Sequence, residues 1–212
     1  MFNRKKHEPK TVYDLVFADK ETRGRIADYA DGLRTGHVLL HGPHGTGKSS
    51  AARVISETRT GGNLGPFCEP YEGATFDQSK LKRIFSDWSA QRVDGIAMPV
   101  TVINEIDLIP PLMQEKLKAF MDQNDGLGQI IGTTNNEQRL KVPLRDRFDQ
   151  IEMPALSAQS FEARIVAIVE SEGIAISESY VKGVLGSSTG SWRDAMSAAE
   201  DIVIQSKRGP RS

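Results

Sequence analysis

The sequence contains one cysteine, Cys68, in 212 residues. An internal disulfide is therefore impossible. This usage is typical of a reducing compartment, so we expect a cytoplasmic protein. Cys68 also lacks a neighbouring motif that would activate its thiol. We interpret it as a small packing residue rather than a nucleophile.

The sequence also has no long apolar run and almost no net charge. No apolar run approaches the roughly 20 residues that a transmembrane helix needs, so no membrane partner is expected. The N-terminal sequence MFNRKKHEPK has no apolar segment typical of a secretion signal. With 27 basic and 28 acidic side chains the net charge is −1, which does not indicate a nucleic-acid-binding protein. Basic residues cluster near the two ends, at residues 4–6 and at Lys207, Arg208 and Arg211, and we expect solvated arms there.

The remaining composition is that of an ordinary globular protein, with 38% hydrophobic and 26% charged residues. The length suffices for one α/β domain and a small accessory domain. Strand and helix patterns alternate as far as Pro154, and only helical patterns follow. We therefore divide the chain into an N-terminal arm (1–10), an α/β domain (11–154), a helical lid (155–206) and a basic tail (207–212).

The alternation predicts a five-stranded parallel sheet covered by helices. The predicted strands are short and apolar: His37–His41, Phe67–Glu72, Pro99–Asn104, Gly128–Thr134 and Gln150–Met153. The predicted helices have apolar residues at helical spacing: one from Lys48, Lys80–Ala90, Leu112–Met121, one around Phe161–Val169, Ser177–Leu185 and Ser191–Gln205. Residues 60–66 are predicted as a loop.

A phosphate-binding loop is the strongest motif. Residues 42–49 read GPHGTGKS and match G-x-x-x-x-G-K-[ST] between an apolar strand and a helix. Its glycines allow backbone N–H groups to approach a polyphosphate, and the following helix N-terminus favours anions. A glycine turn with an accidental lysine does not account for this placement. The expected ligand is ATP with Mg²⁺, bound by Gly42, Pro43, His44, Gly45, Thr46, Gly47, Lys48, Ser49 and Ser50.

Two roles follow from the loop chemistry. Lys48 is expected to contact the β- and γ-phosphates, and the Ser49 hydroxyl is expected to ligate Mg²⁺. Hydrolysis further requires a carboxylate near the metal and a base that orients water. These groups belong at the end of a neighbouring buried strand.

The sequence PVTVINEID at residues 99–107 supplies that strand end, and it resembles the Walker B element of the AAA+ ATPases. The element consists of four apolar residues followed by Asp-Glu. The resemblance implies that Glu105 activates water. It also places Asn104 where the metal-linked aspartate is expected.

An asparagine in place of the aspartate at position 104 affects metal binding and ATP turnover. An amide can bond a metal-bound water but brings no negative charge, and the loss could weaken metal binding by several kcal/mol at an effective dielectric constant of ~20. Asp107 is offset by two residues and is placed differently. One interpretation is a subunit that binds ATP without rapid turnover.

Three further elements resemble AAA+ motifs. Asn135, or alternatively Thr134, matches the sensor 1 residue that orients the attacking water. Arg147, or alternatively Arg145, matches the arginine finger that reaches a neighbouring subunit's γ-phosphate. The rival interpretation places both arginines on a solvated helix, paired with Asp146 and Asp149.

The third element, Gly190–Arg193 (GSWR), is similar to the Gly-Asp-x-Arg sensor 2 element. Arg193 is then expected to touch the phosphates from the lid. Ser191 replaces the aspartate and is also a good helix N-cap. The adenine base is expected between Val12–Phe17 and the lid.

Together these elements span Thr11 to Val203 and resemble clamp-loader ATPase subunits of the replication factor C and bacteriophage type. The resemblance implies a homo- or hetero-oligomeric ring of AAA+ subunits, with DNA and a sliding clamp as further partners. Lys116 and Lys118 are candidates for contacts with the DNA backbone. The family's helical collar domain has no counterpart in these 212 residues, and the lead-in HEPKTVYDLV lacks the family's arginine.

Two functions follow from this resemblance. The first is an ATPase that couples ATP binding and hydrolysis at an intersubunit site to assembly on DNA. The second is an ATP-binding switch or scaffold subunit with weak or no hydrolysis, supported by Asn104. A protein unfoldase is disfavoured, because residues 72–78 (EGATFDQ) contain no aromatic–hydrophobic–glycine tripeptide.

Overall fold

The computed structural model describes residues 2–61, 69–93, 95, 98–186 and 191–208. Within these residues, five strands form one parallel sheet in the order β2-β3-β4-β1-β5. This confirms the predicted fold class. The strands are β1 (Val38–His41), β2 (Tyr71–Glu72), β3 (Val100–Asn104), β4 (Gln129–Thr134) and β5 (Asp149–Glu152).

Helices cover the sheet and form the region that follows it. Those of the α/β region are α1 (Lys20–Ala30), α2 (Lys48–Arg59), α3 (Gln78–Val93), α4 (Pro111–Gln123) and α5 (Val142–Arg145). Those after it are α6 (Glu162–Ser171), α7 (Glu178–Leu185) and α8 (Trp192–Arg208).

The strand β1 shows how the sheet is buried on both faces. Side chains alternate along a strand, so Val38 and Leu40 join a core with α1 and α2, whereas Leu39 joins a core with α3 and α4. All three side chains are fully buried. An apolar run without polar alternation is the expected pattern for such a strand.

The parallel register brings the carboxyl ends of the strands to one edge. His41 lies opposite Thr134, Ile103 lies opposite Gly132, and Glu72 lies opposite Asn104. Ligands of open α/β sheets bind at this edge. The segments that follow β1, β3 and β4 all carry predicted site residues.

Helix α1 was not predicted from the sequence. The carboxylate of Asp19 caps it by accepting the Thr22 N–H at 2.7 Å. Its buried residues are Ile26, Tyr29 and Ala30, which have the i, i+3, i+4 spacing of a helix face. The signal was present, but three buried residues in eleven form a narrow face.

The predicted element ends differ from the observed ones by a few residues. The structure begins β1 at Val38 instead of His37, and the ring Nδ1 of His37 accepts the Ile130 N–H at 3.0 Å. Strand β2 begins at Tyr71. Phe67, Cys68 and residues 62–66 of the loop predicted at 60–66 lie outside the described residues.

The region after the sheet is helical, as predicted. Helices α6, α7 and α8 enclose a separate apolar core that includes Phe161, Ile165, Val181, Leu185 and Ala199. Each of these side chains is at most 1% exposed. The lid therefore has its own hydrophobic core.

The basic residues near the N-terminus are exposed, as expected, but they do not form a free arm. Residues 4–7 form a short 3₁₀ helix on the lid, where Arg4 pairs with Glu200 at 2.5 Å and Lys6 with Glu172 at 2.9 Å. His7 is buried and bonds Glu172 at 3.0 Å. The basic residues thus have acidic partners that sequence patterns do not reveal.

The predicted basic tail also needs correction, because α8 continues to Arg208. Lys207 pairs with Glu172 at 3.4 Å, so the carboxylate that anchors the first residues also anchors the end of α8. Residues 209–212 lie outside the described part of the chain. No helix in the part described is long and apolar enough to cross a membrane.

Candidate nucleotide-binding site

The phosphate loop joins β1 to α2, and its glycines are needed for backbone conformation. Gly42, Gly45 and Gly47 have φ of +137°, +79° and +90°, which side chains disfavour. A Cβ at Gly42 would also lie 2.2 Å from the Met153 carbonyl oxygen. Helix α2 begins at Lys48, so its unpaired N-terminal N–H groups lie where the loop ends.

Lys48 is folded back on the loop and is only 7% exposed. Its Nζ donates to the carbonyls of Gly42 at 2.8 Å and Pro43 at 2.5 Å. Burial lowers the pKa of Lys48 to about 8. An anion beside this ammonium would favour its charged form, as a phosphate group does.

A cleft of about 680 Å³ opens beside Lys48, within the usual size of ligand sites. Its lining comes from four separate parts of the chain and comprises His44, Gly45, Gly47, Lys48, Ser49, Ser50, Glu105, Thr133, Thr134, Asn135, Ser191, Trp192, Arg193 and Asp194. The predicted residues Glu105, Asn135 and Arg193 are thus brought to the phosphate loop. In the described residues, no group of three or more His, Cys, Asp or Glu side chains could hold a metal ion.

Glu105 has an unusual backbone. Its φ is +48°, the only positive value of a non-glycine residue in the described part of the chain. Such a conformation is costly for a residue with a Cβ and is found at functional sites. Its N–H donates to Thr133 Oγ1 at 3.3 Å, and its exposed side chain lines the cleft.

Asn104 is bonded at both ends of its amide. Its Nδ2 donates to Glu72 Oε1 at 3.2 Å, and its Oδ1 accepts from Thr133 Oγ1 at 3.2 Å. Asn104 is half-buried and is not among the described residues that line the cleft. The predicted contact with Mg²⁺ therefore stays a prediction.

Thr134 and Asn135 differ in how their side chains are used. The Thr134 hydroxyl donates to Asp107 at 2.6 Å and accepts the Asn136 N–H at 2.9 Å. Its donor is therefore committed to a carboxylate. Both residues line the cleft, but Thr134 is buried and Asn135 is half-buried. We therefore expect Asn135, rather than Thr134, to be the residue that orients water.

The lid contacts the phosphate loop directly. The Trp192 N–H donates to the Gly45 carbonyl at 3.1 Å. Ser191 caps α8, with its Oγ accepting the Asp194 N–H at 3.1 Å. Arg193 follows on the exposed side and reaches the cleft. Gly190 lies outside the described residues.

A small apolar cavity of about 20 Å³ adjoins the cleft and shares Gly47, Ser50 and Trp192 with it. It is lined by Leu15 and Val16 from the N-terminal segment and by Phe161 and Trp192 from the lid. This is the location expected for adenine. The volume holds no more than a single water, so a base would need these walls to separate.

Arg147 does not line its own chain's cleft. Its Nε donates to Asp122 Oδ1 on α4 at 2.7 Å, and Lys118 pairs with the same carboxylate at 2.7 Å. The rival interpretation was wrong about Asp149, whose carboxylate instead bonds Arg25 at 2.6 Å. Arg145 is half-buried, whereas Arg147 is exposed, as a residue reaching a neighbour must be.

The two lysines proposed for DNA contact are engaged within the chain. Lys116 donates to Gln78 Oε1 at 2.7 Å, and Lys118 pairs with Asp122. Both side chains are on α4. Their bonds would have to be exchanged for bonds to phosphate.

Sequence reasoning missed Thr133, which lines the cleft, and Glu72, which bonds Asn104 beside it. Thr133 precedes the predicted sensor residue by two positions, and Glu72 ends a strand of only two residues. The strand signal around Glu72 was weak. Only the sheet register places Glu72 opposite Asn104.

Residues 38–155 match the AAA family, the "ATPase family associated with various cellular activities". The chain belongs to the AAA family. The matched range runs from β1 to the end of the sheet and includes the phosphate loop, Glu105 and Asn135.

Among AAA proteins, the chain is similar to subunits of replication factor C. It is 22% identical to the replication factor C small subunit of Archaeoglobus fulgidus over 200 residues, covering 92% of this chain and 61% of the relative. It is 24% identical to replication factor C subunit 4 of Caenorhabditis elegans over 213 residues, covering 96% and 63%. The chain thus spans under two-thirds of the length of these relatives.

Solved structures share the fold. The Thermotoga maritima RuvB Holliday junction branch migration motor superposes with a TM-score of 0.71 at 19% identity, covering 92% of this chain and 65% of that protein. At this identity the likeness concerns the fold alone. It includes the helical region after the sheet.

Proposed function

We propose that the chain binds Mg·ATP in the cleft beside Lys48 and hydrolyses it as one subunit of a clamp-loader-like assembly on DNA. One observation carries the proposal: the cleft joins the phosphate loop, Glu105, Asn135 and Arg193 in a single site. Membership of the AAA family and the similarity to replication factor C subunits support the same function.

The bound nucleotide would use the loop and the lid together. The β- and γ-phosphates would accept bonds from the N–H groups at the start of α2 and replace the Gly42 and Pro43 carbonyls as partners of Lys48. The Ser49 hydroxyl would ligate the Mg²⁺ that accompanies ATP. Arg193 would reach the phosphates from α8.

Hydrolysis would proceed by attack of water on the γ-phosphorus, which breaks its bond to the β–γ bridging oxygen and releases ADP and inorganic phosphate. The Glu105 carboxylate would accept a proton from this water, and the Asn135 amide would orient it. Negative charge that develops on the phosphoryl oxygens would be stabilised by Lys48 and by Arg147 of a neighbouring subunit. The exposed position of Arg147, away from its own cleft, supports action between subunits.

The binding step is tested by titrating the chain with ATP and with a non-hydrolysable analogue. We expect Lys48→Ala to lower affinity by at least about tenfold. Glu105→Gln should keep affinity and lose turnover, because the amide cannot accept a proton. Binding of ATP by wild type no tighter than by Lys48→Ala would refute the proposal.

The assembly step is tested by molecular mass in solution with and without the analogue. We expect nucleotide to promote a larger species, because an intersubunit site is completed by the neighbour's arginine. DNA binding is tested with primed and duplex DNA in the same samples. A monomer under every condition would contradict the intersubunit site.

The second candidate is an ATP-binding switch with weak or no turnover. The uncharged Asn104 favours it, because no carboxylate stands at that position of β3. Stoichiometric ATP binding without phosphate release, in the complete assembly and with DNA present, is the result that would identify a switch.

A further inference from the structure

Arg147 and Asp122 are anchored in the same hydrophobic core. Arg147 lies in the turn between α5 and β5, next to Phe148, and Asp122 lies in the last turn of α4, next to Met121. Both Phe148 and Met121 are buried in the core that includes α3 and α4. The Arg147 N–H donates to the Leu144 carbonyl at 3.1 Å. Close packing therefore fixes the positions from which the two charged side chains extend.

The Asp122 carboxylate binds one edge of the Arg147 guanidinium. Arg147 Nε donates to Asp122 Oδ1 at 2.7 Å, and Nη2 donates to Oδ2 at 3.4 Å. The remaining edge consists of Nη1 and the second N–H of Nη2, and Nη1 bonds none of the residues that the structure describes. A guanidinium edge with two N–H groups can bind two phosphate oxygens. Arg147 can therefore bind a phosphate without leaving Asp122.

Lys118 offsets the negative charge of Asp122. Its Nζ pairs with Asp122 Oδ2 at 2.7 Å. The bonds from Arg147 and Lys118 lower the pKa of Asp122 from 3.8 to about 2, so the carboxylate is ionised at neutral pH. Two cations around one anion leave one positive charge, as on a free arginine. The pairing therefore preserves the attraction of Arg147 for a phosphate.

The ion pair orders a long side chain on the surface. The side chain of Arg147 is 39% exposed and that of Asp122 is 36% exposed, and pairs this accessible contribute little to the stability of a fold. A free arginine loses rotamer freedom when it binds a ligand. Pairing with Asp122 removes part of this entropic cost before binding, which is the general effect of preorganisation.

We propose that Asp122 is a positioning residue for Arg147, holding the guanidinium by its Nε edge so that the Nη edge meets the γ-phosphate bound by a neighbouring subunit. The role rests on the intersubunit ATP site proposed above. Asp122 accordingly acts on the nucleotide of the neighbour and leaves that of its own chain unaffected.

Two substitutions and one control test this role. Asp122→Ala removes both acceptor oxygens, whereas Asp122→Asn keeps one acceptor and loses the charge. Asp146→Ala is the matched control, because Asp146 is an exposed carboxylate beside Arg147 that interacts with it through space, without a hydrogen bond. Asp122→Ala is also combined with Arg147→Ala.

The first measurement is steady-state ATP turnover in the complete assembly. We expect kcat to fall about tenfold in D122A and less in D122N, with KM for ATP within about twofold of wild type. The control should keep its kcat within about twofold. D122A should cause no further loss when Arg147 is already alanine. An unchanged or raised kcat in D122A, or an equal loss with and without Arg147, would overturn the role of Asp122.

The second measurement needs no turnover: association of the chains, followed by sedimentation with a non-hydrolysable ATP analogue or with ADP. Arg147 is expected to contact the γ-phosphate, which ADP lacks. D122A should therefore weaken association about fivefold with the analogue and leave it unchanged with ADP. Equal association of D122A and wild type with the analogue would contradict the proposal.

The role of Asp122 and the proposed hydrolysis fail in different ways. If the wild-type chains assemble with the analogue but release no phosphate, the proposed hydrolysis fails, and association alone decides the role of Asp122. Normal turnover and association in D122A would overturn that role and leave the proposed hydrolysis standing. Chains that do not assemble with nucleotide would refute the intersubunit site and this role together. If D122A does not fold, D122N decides by the same two measurements.

Discussion

The backbone N–H of Trp192 donates to the carbonyl oxygen of Gly45 at 3.1 Å. The first turn of the last lid helix is thereby bonded to the middle of the phosphate loop. The same turn carries Arg193 into the cleft, and Trp192 forms part of the cavity expected to hold adenine. Lid position and the shape of the nucleotide site are consequently coupled.

Gly45→Ala tests this contact. The new Cβ would lie 2.6 Å from the Ser191 Cβ at a φ of +79°, so either the loop or the lid must move. We expect ATP affinity to fall by about tenfold or more, measured by calorimetry. Gly24→Ala is the control, because Gly24 is inside α1 and a Cβ there would have no described atom within 4 Å outside its own helix backbone. It should leave affinity unchanged and stabilise the helix by about 0.5–1 kcal/mol.

The lowered pKa of Lys48 predicts a pH dependence of ATP binding. Without nucleotide, the pKa of Lys48 is about 8. Because bound phosphates favour the charged ammonium, the pKa of Lys48 should rise when ATP binds. Affinity should be nearly constant below pH 8 and should fall as pH rises above it, by up to about tenfold per unit. Calorimetry in two buffers of different ionisation enthalpy should detect proton uptake near pH 8.5. Lys48→Ala should show neither effect.

Burial of Lys48 also makes the free energy of unfolding depend on pH. The folded pKa is below the usual value of 10.5, so the unfolded chain binds more protons between pH 8 and 10.5. The contribution of this residue to the free energy of unfolding should therefore rise with pH across that window. Thermal melting of wild type against Lys48→Met measures it, and a wild-type advantage that shrinks above pH 8 would contradict this sign.

Arg147 should act on a neighbour's nucleotide. Arg147→Ala is expected to lower turnover in the assembly by about 10³-fold or more while leaving ATP binding by the isolated chain unchanged. Mixing Arg147→Ala with Glu105→Gln should restore part of the activity, because some interfaces then combine an intact Glu105 with an intact Arg147. Absence of recovery despite mixed assembly would contradict action between subunits. Arg145→Ala is the matched control.

Glu172 should anchor the N-terminal residues in a pH-dependent way. Its bonds to Lys6 and His7 lower the pKa of Glu172 from 4.5 to about 2. Stability from this carboxylate should be present above pH 4.5 and lost as the pH falls towards 2. We expect Glu172→Gln to melt earlier than wild type at neutral pH and to converge with it near pH 2. Glu170→Gln, an exposed neighbour, is the control.

Local sequence patterns predicted the sheet and the phosphate loop because their causes are local. Apolar runs such as VLLH, the glycines that permit positive φ and the following helix are all encoded within a few residues. Helix α1 was missed because its buried face is narrow. The ends were misjudged because Glu172, the shared partner of Lys6 and Lys207, lies far from both lysines in the sequence.

Local sequence was enough to predict the AAA fold and the residue types of the site: Lys48 in the loop, Glu105 after a buried strand and Asn135 after the next. Which of these groups meet, and how each is held, depends on packing between distant segments. Asn104 illustrates the difference. In the sequence, Asn104 occupies the position expected for an aspartate and carries no negative charge. The strand register places the Glu72 carboxylate beside it. Hydrogen bonds between strands depend on register, and local sequence patterns do not specify that register.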